Sequence, residues 1–182
     1  NLFYLYDGRS DENNTNYFAV MTSGFTSVTN KYMAHLLLKT LDLIKSEKIQ
    51  MIHYSDFFEK GFKLKMDKDI YHYLDKVASQ NTLGQPRGLC HRIVRALVFI
   101  YKIKSKDELL IKINQIIEYF SKCYDGEKDL PDIQKLKGML REFEEELAWA
   151  HYGVDIKNIF HLRLGFYKGD IFTEIPDQER DI

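Results

Sequence analysis

Cysteine is nearly absent from this chain: Cys90 and Cys123 are the two it has. No CxxC spacing occurs, which argues against a thiolate zinc site. Both fall in apolar, helical surroundings and read as buried, reduced thiols, which favours an intracellular, cytoplasmic setting. Long apolar runs are missing too. A membrane span needs ~20 apolar residues, and the best candidate, 93–103, is broken by Arg95 and Lys102. No membrane partner is expected. Neither sign of charge dominates: the formal net charge is -1, so any attraction to nucleic acid must come from a local patch. There is no Walker-type loop and no GxGxxG, which argues against those nucleotide sites. HExxH and His-x-His spacings are absent, and Ser23 and Ser55 lack a GxSxG context. The chain begins at Asn1 rather than methionine, as a fragment or a processed product would.

What is present is apolar and aromatic. Hydrophobic residues make up 45%, with 12 Tyr and 12 Phe, enough to build a core and to argue against disorder. Residues 2–6 (LFYLY) read as a buried strand, 7–16 as a polar loop, and 17–21 as a second strand closed by Thr22-Ser23-Gly24. Thr26, Ser27 or Thr29 can cap the helix that follows, in which Met33, Leu37, Leu38, Leu41 and Ile44 recur at helical spacing. Residues 49–54 read as a third strand, making a right-handed parallel crossover with the second. Later helices carry Ile70, Tyr71, Leu74 and Val77, then 87–103, then a segment opened by the capping box Ser105-Lys-Asp-Glu108. A last helix has Pro131 in its first turn and Gly153 as its stop. Alternation through Phe160, Leu162, Leu164 and Phe166 reads as a strand that turns at Lys168-Gly169 into a hairpin with 170–175.

The fold class expected is α/β, α+β overall: a small parallel sheet with a crossover helix in 1–80, a helical region in 81–153, and a β hairpin and tail in 154–182, packed as one domain. Three strands are few for a sheet, so the tail hairpin, another subunit or a further segment would complete it. In an open parallel sheet, ligands collect at the carboxyl ends of the strands. Those ends fall at Asp7, at Ser23-Gly24 and at Asp56, with Asp11, Glu12 and Glu59 in the same loops. Carboxylates gathered at one rim suit a hard ion such as magnesium and phosphoryl chemistry; the competing reading is solvated loop acids.

Thr22-Ser23-Gly24, the leucine-rich helix and Tyr54-Ser55-Asp56-Phe57-Phe58-Glu59-Lys60-Gly61 resemble the Toprim domains of topoisomerase VI A subunits and related bacterial defence nucleases. The resemblance covers 17–61. It implies that Asp56 is the first acid of a metal-binding Asp-x-Asp and Gly61 the glycine after it. Phe58 stands where the second Asp belongs, so the resemblance implies either a metal-dependent phosphoryl-transfer site or a catalytically decayed one. Asp56, Glu59 and His53 are its candidate catalytic residues, and Asp7, Glu12 and Asp56 its candidate magnesium ligands.

A second feature is charge. Between Lys76 and Lys106 there is no acid, while Arg87, Arg92, Arg95, Lys102 and Lys104 fall there. Arg87, His91 and Arg95 are spaced by four and share one helical face. Arg87, His91, Arg92 and Arg95 are therefore candidates for holding the phosphates of DNA or RNA. The alternative makes them a solvated face, or partners for the acidic run Arg141-Glu-Phe-Glu-Glu-Glu146. Two functions remain open: a nucleic-acid-associated Toprim-like module, or a non-enzymatic protein-interaction module of a larger complex.

Overall fold

The computed structural model describes residues 15–53, 57–60, 67–82, 84–124 and 126–165. Within these the chain is mainly helical. Strand β1 (Phe18–Val20) leads through a 3-10 turn, Phe25–Ser27, into helix α1 (Asn30–Lys45). A 3-10 segment, Gln50–His53, and a short helix α2 (Phe57–Lys60) follow. Then come α3 (Asp67–Ala78), α4 (Gln85–Tyr101), α5 (Lys106–Lys122), α6 (Pro131–His151) and strand β2 (Ile159–His161).

The helix boundaries have local causes. The Thr29 side chain accepts a hydrogen bond from the Tyr32 N–H at 3.2 Å and starts α1. The Ser105 hydroxyl accepts from the Glu108 N–H at 3.2 Å, while the Glu108 carboxylate accepts from the Lys104 N–H at 2.8 Å. This is the expected capping box, with the acid reaching one residue further back. Gly153, at φ 78, ends α6: its N–H donates to the Ala150 carbonyl, and the Val154 N–H donates to that of Trp149.

Helix α4 is the centre of the molecule. It touches α1, α3, α5 and α6, and Cys90, Ile93, Val94, Ala96, Leu97 and Val98 are all buried. Met33, Leu36, Leu37 and Ile44 of α1 and Leu109, Ile113 and Ile116 of α5 close one side of it. The α1 stripe differs from expectation in that Leu36 and Thr40 are buried whereas Leu38 is exposed. Tyr71 and Val77 of α3 are exposed as well, and Ile70 and Asp69 are that helix's buried residues among those described. Helices α3 and α4 cross closely at Gly88, where an added Cβ would lie 2.8 Å from the Asp69 carbonyl oxygen.

The sheet corrects the expected topology. Residues 50–53 form a 3-10 turn and not a strand. Ile49 and Ile52 are buried nonetheless, and their spacing of three suits a 3-10 turn, in which i and i+3 eclipse. The partner of β1 is β2, parallel, with Ala19 opposite Phe160. The parallel pairing thus spans the whole helical region. The expected strand 2–6 and the hairpin to 170–175 lie outside the described residues.

Candidate functional site

Placing α4 at the centre decides what its basic residues do. A helix apolar on all sides is buried on all sides, and a charge carried inward must be paired. Arg92 is 1% exposed and Arg95 4%. Arg92 donates to the Glu146 carboxylate of α6 through one Nη, and its guanidinium lies 5.2 Å from the Phe143 ring centroid. Arg95 donates from Nε to Asp69 of α3 at 2.7 Å. His91 approaches the same carboxylate no closer than 3.7 Å, too far for a hydrogen bond, and its ring stacks on His72 with centroids 5.9 Å apart. Arg87, His91 and Arg95 do share a face, but that face is turned toward α3. Glu146, in the acidic run, is the counter-ion of Arg92, as the packing alternative required.

The pairing runs on to the sheet. His161 of β2 lies 3.1 Å, through Nε2, from Glu146. Arg163 donates to both oxygens of Glu142, at 2.6 and 2.8 Å. It reaches Glu142 from a bulge. The N–H groups of Leu162 and Leu164 donate to the carbonyls of Val20 and Met21, so this strand has one residue more than β1 between those bonds, and Arg163 takes it up at φ 52. Asp69, Arg95, Arg92, Glu146, His161, Glu142 and Arg163 therefore form a polar seam from α3 through α4 and α6 to the sheet.

The seam perturbs its members in both directions. Burial pushes the Asp69 carboxyl up, and Arg95 only partly offsets this. Burial also works to raise Glu146, but the bond from His161 and the charge of Arg92 outweigh it and hold the carboxyl below its usual value. His91 is pushed down to about 4 by burial, then by His72, Arg95 and Arg87. The Asp69 carboxylate does not reverse that shift, because Arg95 already engages it.

At the carboxyl ends of the two strands lies a cleft of about 360 Å³, lined by residues including Ser23, Phe25, Gly138, Glu142, Arg163 and Leu164. Ser23-Gly24 was read from the sequence as such an end, whereas Arg163 and Glu142 were not foreseen. The remaining expected residues do not meet there. His53 and Glu59 are exposed, on the 3-10 segment and on α2. Asp7, Glu12 and Asp56 lie outside the described residues. Among the described residues no group of three His, Cys, Asp or Glu side chains is placed to hold a metal ion, so they offer magnesium no oxygen-rich site. No helix among them is long and apolar enough to cross a membrane.

The outer face of the sheet is open. Phe18 turns inward and stacks on Trp149 of α6, with ring centroids 4.2 Å apart. On the other face Tyr17 is 66% exposed, Met21 59%, Phe160 49% and Leu162 37%. Tyr17 and Phe160 touch across the strands at 6.3 Å between centroids. An apolar outer face is unusual for parallel strands, which are normally covered on both sides.

No family model matches the chain, and no solved structure matches it. It is similar to the uncharacterized protein MG415 of Mycoplasma genitalium, 31% identical over 142 residues, a match covering 72% of this chain and 21% of that protein. The chain thus spans about a fifth of the length of the curated relative it matches.

Proposed function

We propose that this chain is a non-enzymatic protein-interaction module of a larger assembly, and that it binds through the outer face of the β1–β2 sheet. The observation that carries this reading is the row Tyr17, Met21, Phe160 and Leu162, exposed on and immediately beside parallel strands whose other face already packs on α6. The partner is another polypeptide that lays an apolar surface on these side chains. They are 37–66% exposed, so covering each contributes about half of the roughly 1.5–3 kcal/mol that full burial gives. The match to a small part of a much longer protein supports the reading, because such a part has neighbours to pack against. The polar seam supports it from beneath: it fixes the sheet to α6 and α4, and a rigid face binds at lower entropic cost.

The test is site-specific. A photo-crosslinking residue replaces Phe160 in the protein as expressed in its own cells, and a control replaces Ile111, somewhat more exposed on α5. Position 160 is expected to give discrete adducts that vanish on adding Tyr17→Ser and Met21→Ser; position 111 is expected to give none. Adducts of the same pattern at both positions, or none at 160, refute the proposal. The other reading, a nucleic-acid-associated Toprim-like module acting with magnesium around Asp56, predicts metal-dependent cleavage of DNA or RNA that Asp56→Ala abolishes.

A further inference from the structure

Three nitrogen atoms between α3 and α4 are buried without a hydrogen-bond partner: Arg87 Nε, His91 Nε2 and His72 Nε2. Buried polar groups are nearly always satisfied, and an orphan in a native structure points to something that belongs beside it. These three are neighbours. Arg87 and His91 stand one turn apart on the same face of α4, and the His91 ring stacks on that of His72. All three can donate, and no carboxylate among the described residues pairs with Arg87. We propose that Arg87, His91 and His72 form a site for an oxyanion, of the phosphoryl class.

Charge separates this from a site for water. A buried water could satisfy the orphaned nitrogens, but it would leave the positive charge unbalanced. Around His91 stand Arg87 and Arg95 on α4 and Asp69 and His72 on α3; the next rung, Arg92 with Glu146 of α6, is paired within itself. Asp69 is bonded to Arg95, so the half-buried Arg87 has no carboxylate partner of its own among the described residues. Burial first, and then the charges of His72, Arg95 and Arg87, hold His91 unprotonated down to about pH 4. An oxyanion would bond to Arg87 Nε and to the imidazoles in one step, and would offset the neighbouring positive charges that help to lower His91. His91 is 22% exposed, so the cluster meets solvent at its edge. The inference does not depend on the open sheet.

Imidazole nitrogen NMR of the full chain, at pH 6 and constant ionic strength, tests it. Inorganic phosphate is titrated against a chloride control. The expected result is saturable shifts on both His72 and His91, with His91 protonating at higher pH in phosphate than in chloride. Arg87→Gln is expected to weaken binding roughly tenfold or more, the loss of one charge-assisted bond, and Arg87→Lys less. Circular dichroism melting of each variant shows that the fold is retained. Two further arms identify the source of the phosphate. An oligonucleotide binding more tightly than inorganic phosphate assigns the site to nucleic acid; inorganic phosphate alone binding assigns it to a small phosphate-bearing ligand. No saturable shift with phosphate or oligonucleotide, or equal affinity in Arg87→Gln, overturns the proposal and leaves the three nitrogens to water.

Discussion

Replacing Arg92 with methionine tests the polar seam where it is deepest. The guanidinium is 1% exposed and is engaged by Glu146, whose side chain is 9% exposed. Removing one partner of such a pair leaves a buried charge uncompensated, which costs ~3–5 kcal/mol. Glu146 keeps its contact with His161 at 3.1 Å, so the expected loss is at the lower end, about 3 kcal/mol. That is a large part of the ~5–15 kcal/mol that holds a domain together. The double variant Arg92→Met/Glu146→Leu removes both charges, and exchanging a buried pair for apolar residues is neutral or stabilising by ~1–4 kcal/mol. His161 then loses its acceptor at a cost of ~1–3 kcal/mol. The double variant is therefore expected to recover about 2 of the 3 kcal/mol. Urea unfolding at pH 7.5 with an unchanged slope measures both. Acidification supplies a second sign. In the parent, Glu146 is held below its usual value, so its contribution is present above the unfolded carboxyl range and is lost as pH falls through the folded one. In Arg92→Met the carboxylate is buried with less compensation, and protonating it relieves the strain. The gap between parent and variant should narrow toward pH 4. A single variant within 1 kcal/mol of the parent, or a double variant less stable than the single, would refute the reasoning.

His91, whose folded value is depressed from 6.5 to about 4, contributes full stability above about pH 6.5. It should lose up to ~3 kcal/mol as pH falls from there to about 4, so in chloride buffer the stability difference between parent and His91→Leu should fall across that window; a flat difference contradicts the assignment. Gly88→Ala puts a Cβ 2.8 Å from the Asp69 carbonyl and 3.0 Å from the Tyr73 Cβ. Overpacking of ~1–3 kcal/mol then outweighs the helix-propensity gain of up to ~1; a melting temperature at or above the parent's would show that α3 can move aside. Ser105→Ala should cost ~1 kcal/mol and speed amide exchange in the first turn of α5, and unchanged exchange at Asp107 and Glu108 would rule out the cap.

The helices were legible because their signals are local. Thr29, the Ser105–Glu108 box, Pro131 and Gly153 each act within one turn of where they stand. Strand pairing has no such signal. The partner of Phe18 is Ile159, on the far side of the whole helical region, and a three-residue strand gives no register in advance. The run 49–54 reads as a strand, yet 50–53 is a 3-10 turn, because a short apolar run fits a buried strand and a buried turn equally well; only the spacing of three between Ile49 and Ile52 favours the turn. The bulge that aims Arg163 at Glu142 depends on that same remote pairing, so neither residue could be singled out for the cleft.

The basic block on α4 is a different case, because the evidence for its burial was in the sequence. Leu89, Ile93, Ala96, Leu97 and Ile100 mark one apolar face, but Cys90, Val94 and Val98 fill the other. A helix with apolar residues on every side has no solvent face on which to display phosphate-binding arginines. Its charges must then find acids on neighbouring helices: Glu146 of α6 takes Arg92, and Asp69 of α3 takes Arg95. By the same logic Arg87 is the exception. It sits in the first turn of α4, where the helix nears its end, and Asp69 is already bonded to Arg95. A basic residue that remains unpaired while its neighbours on the same helix are paired is where a ligand's charge would be felt most.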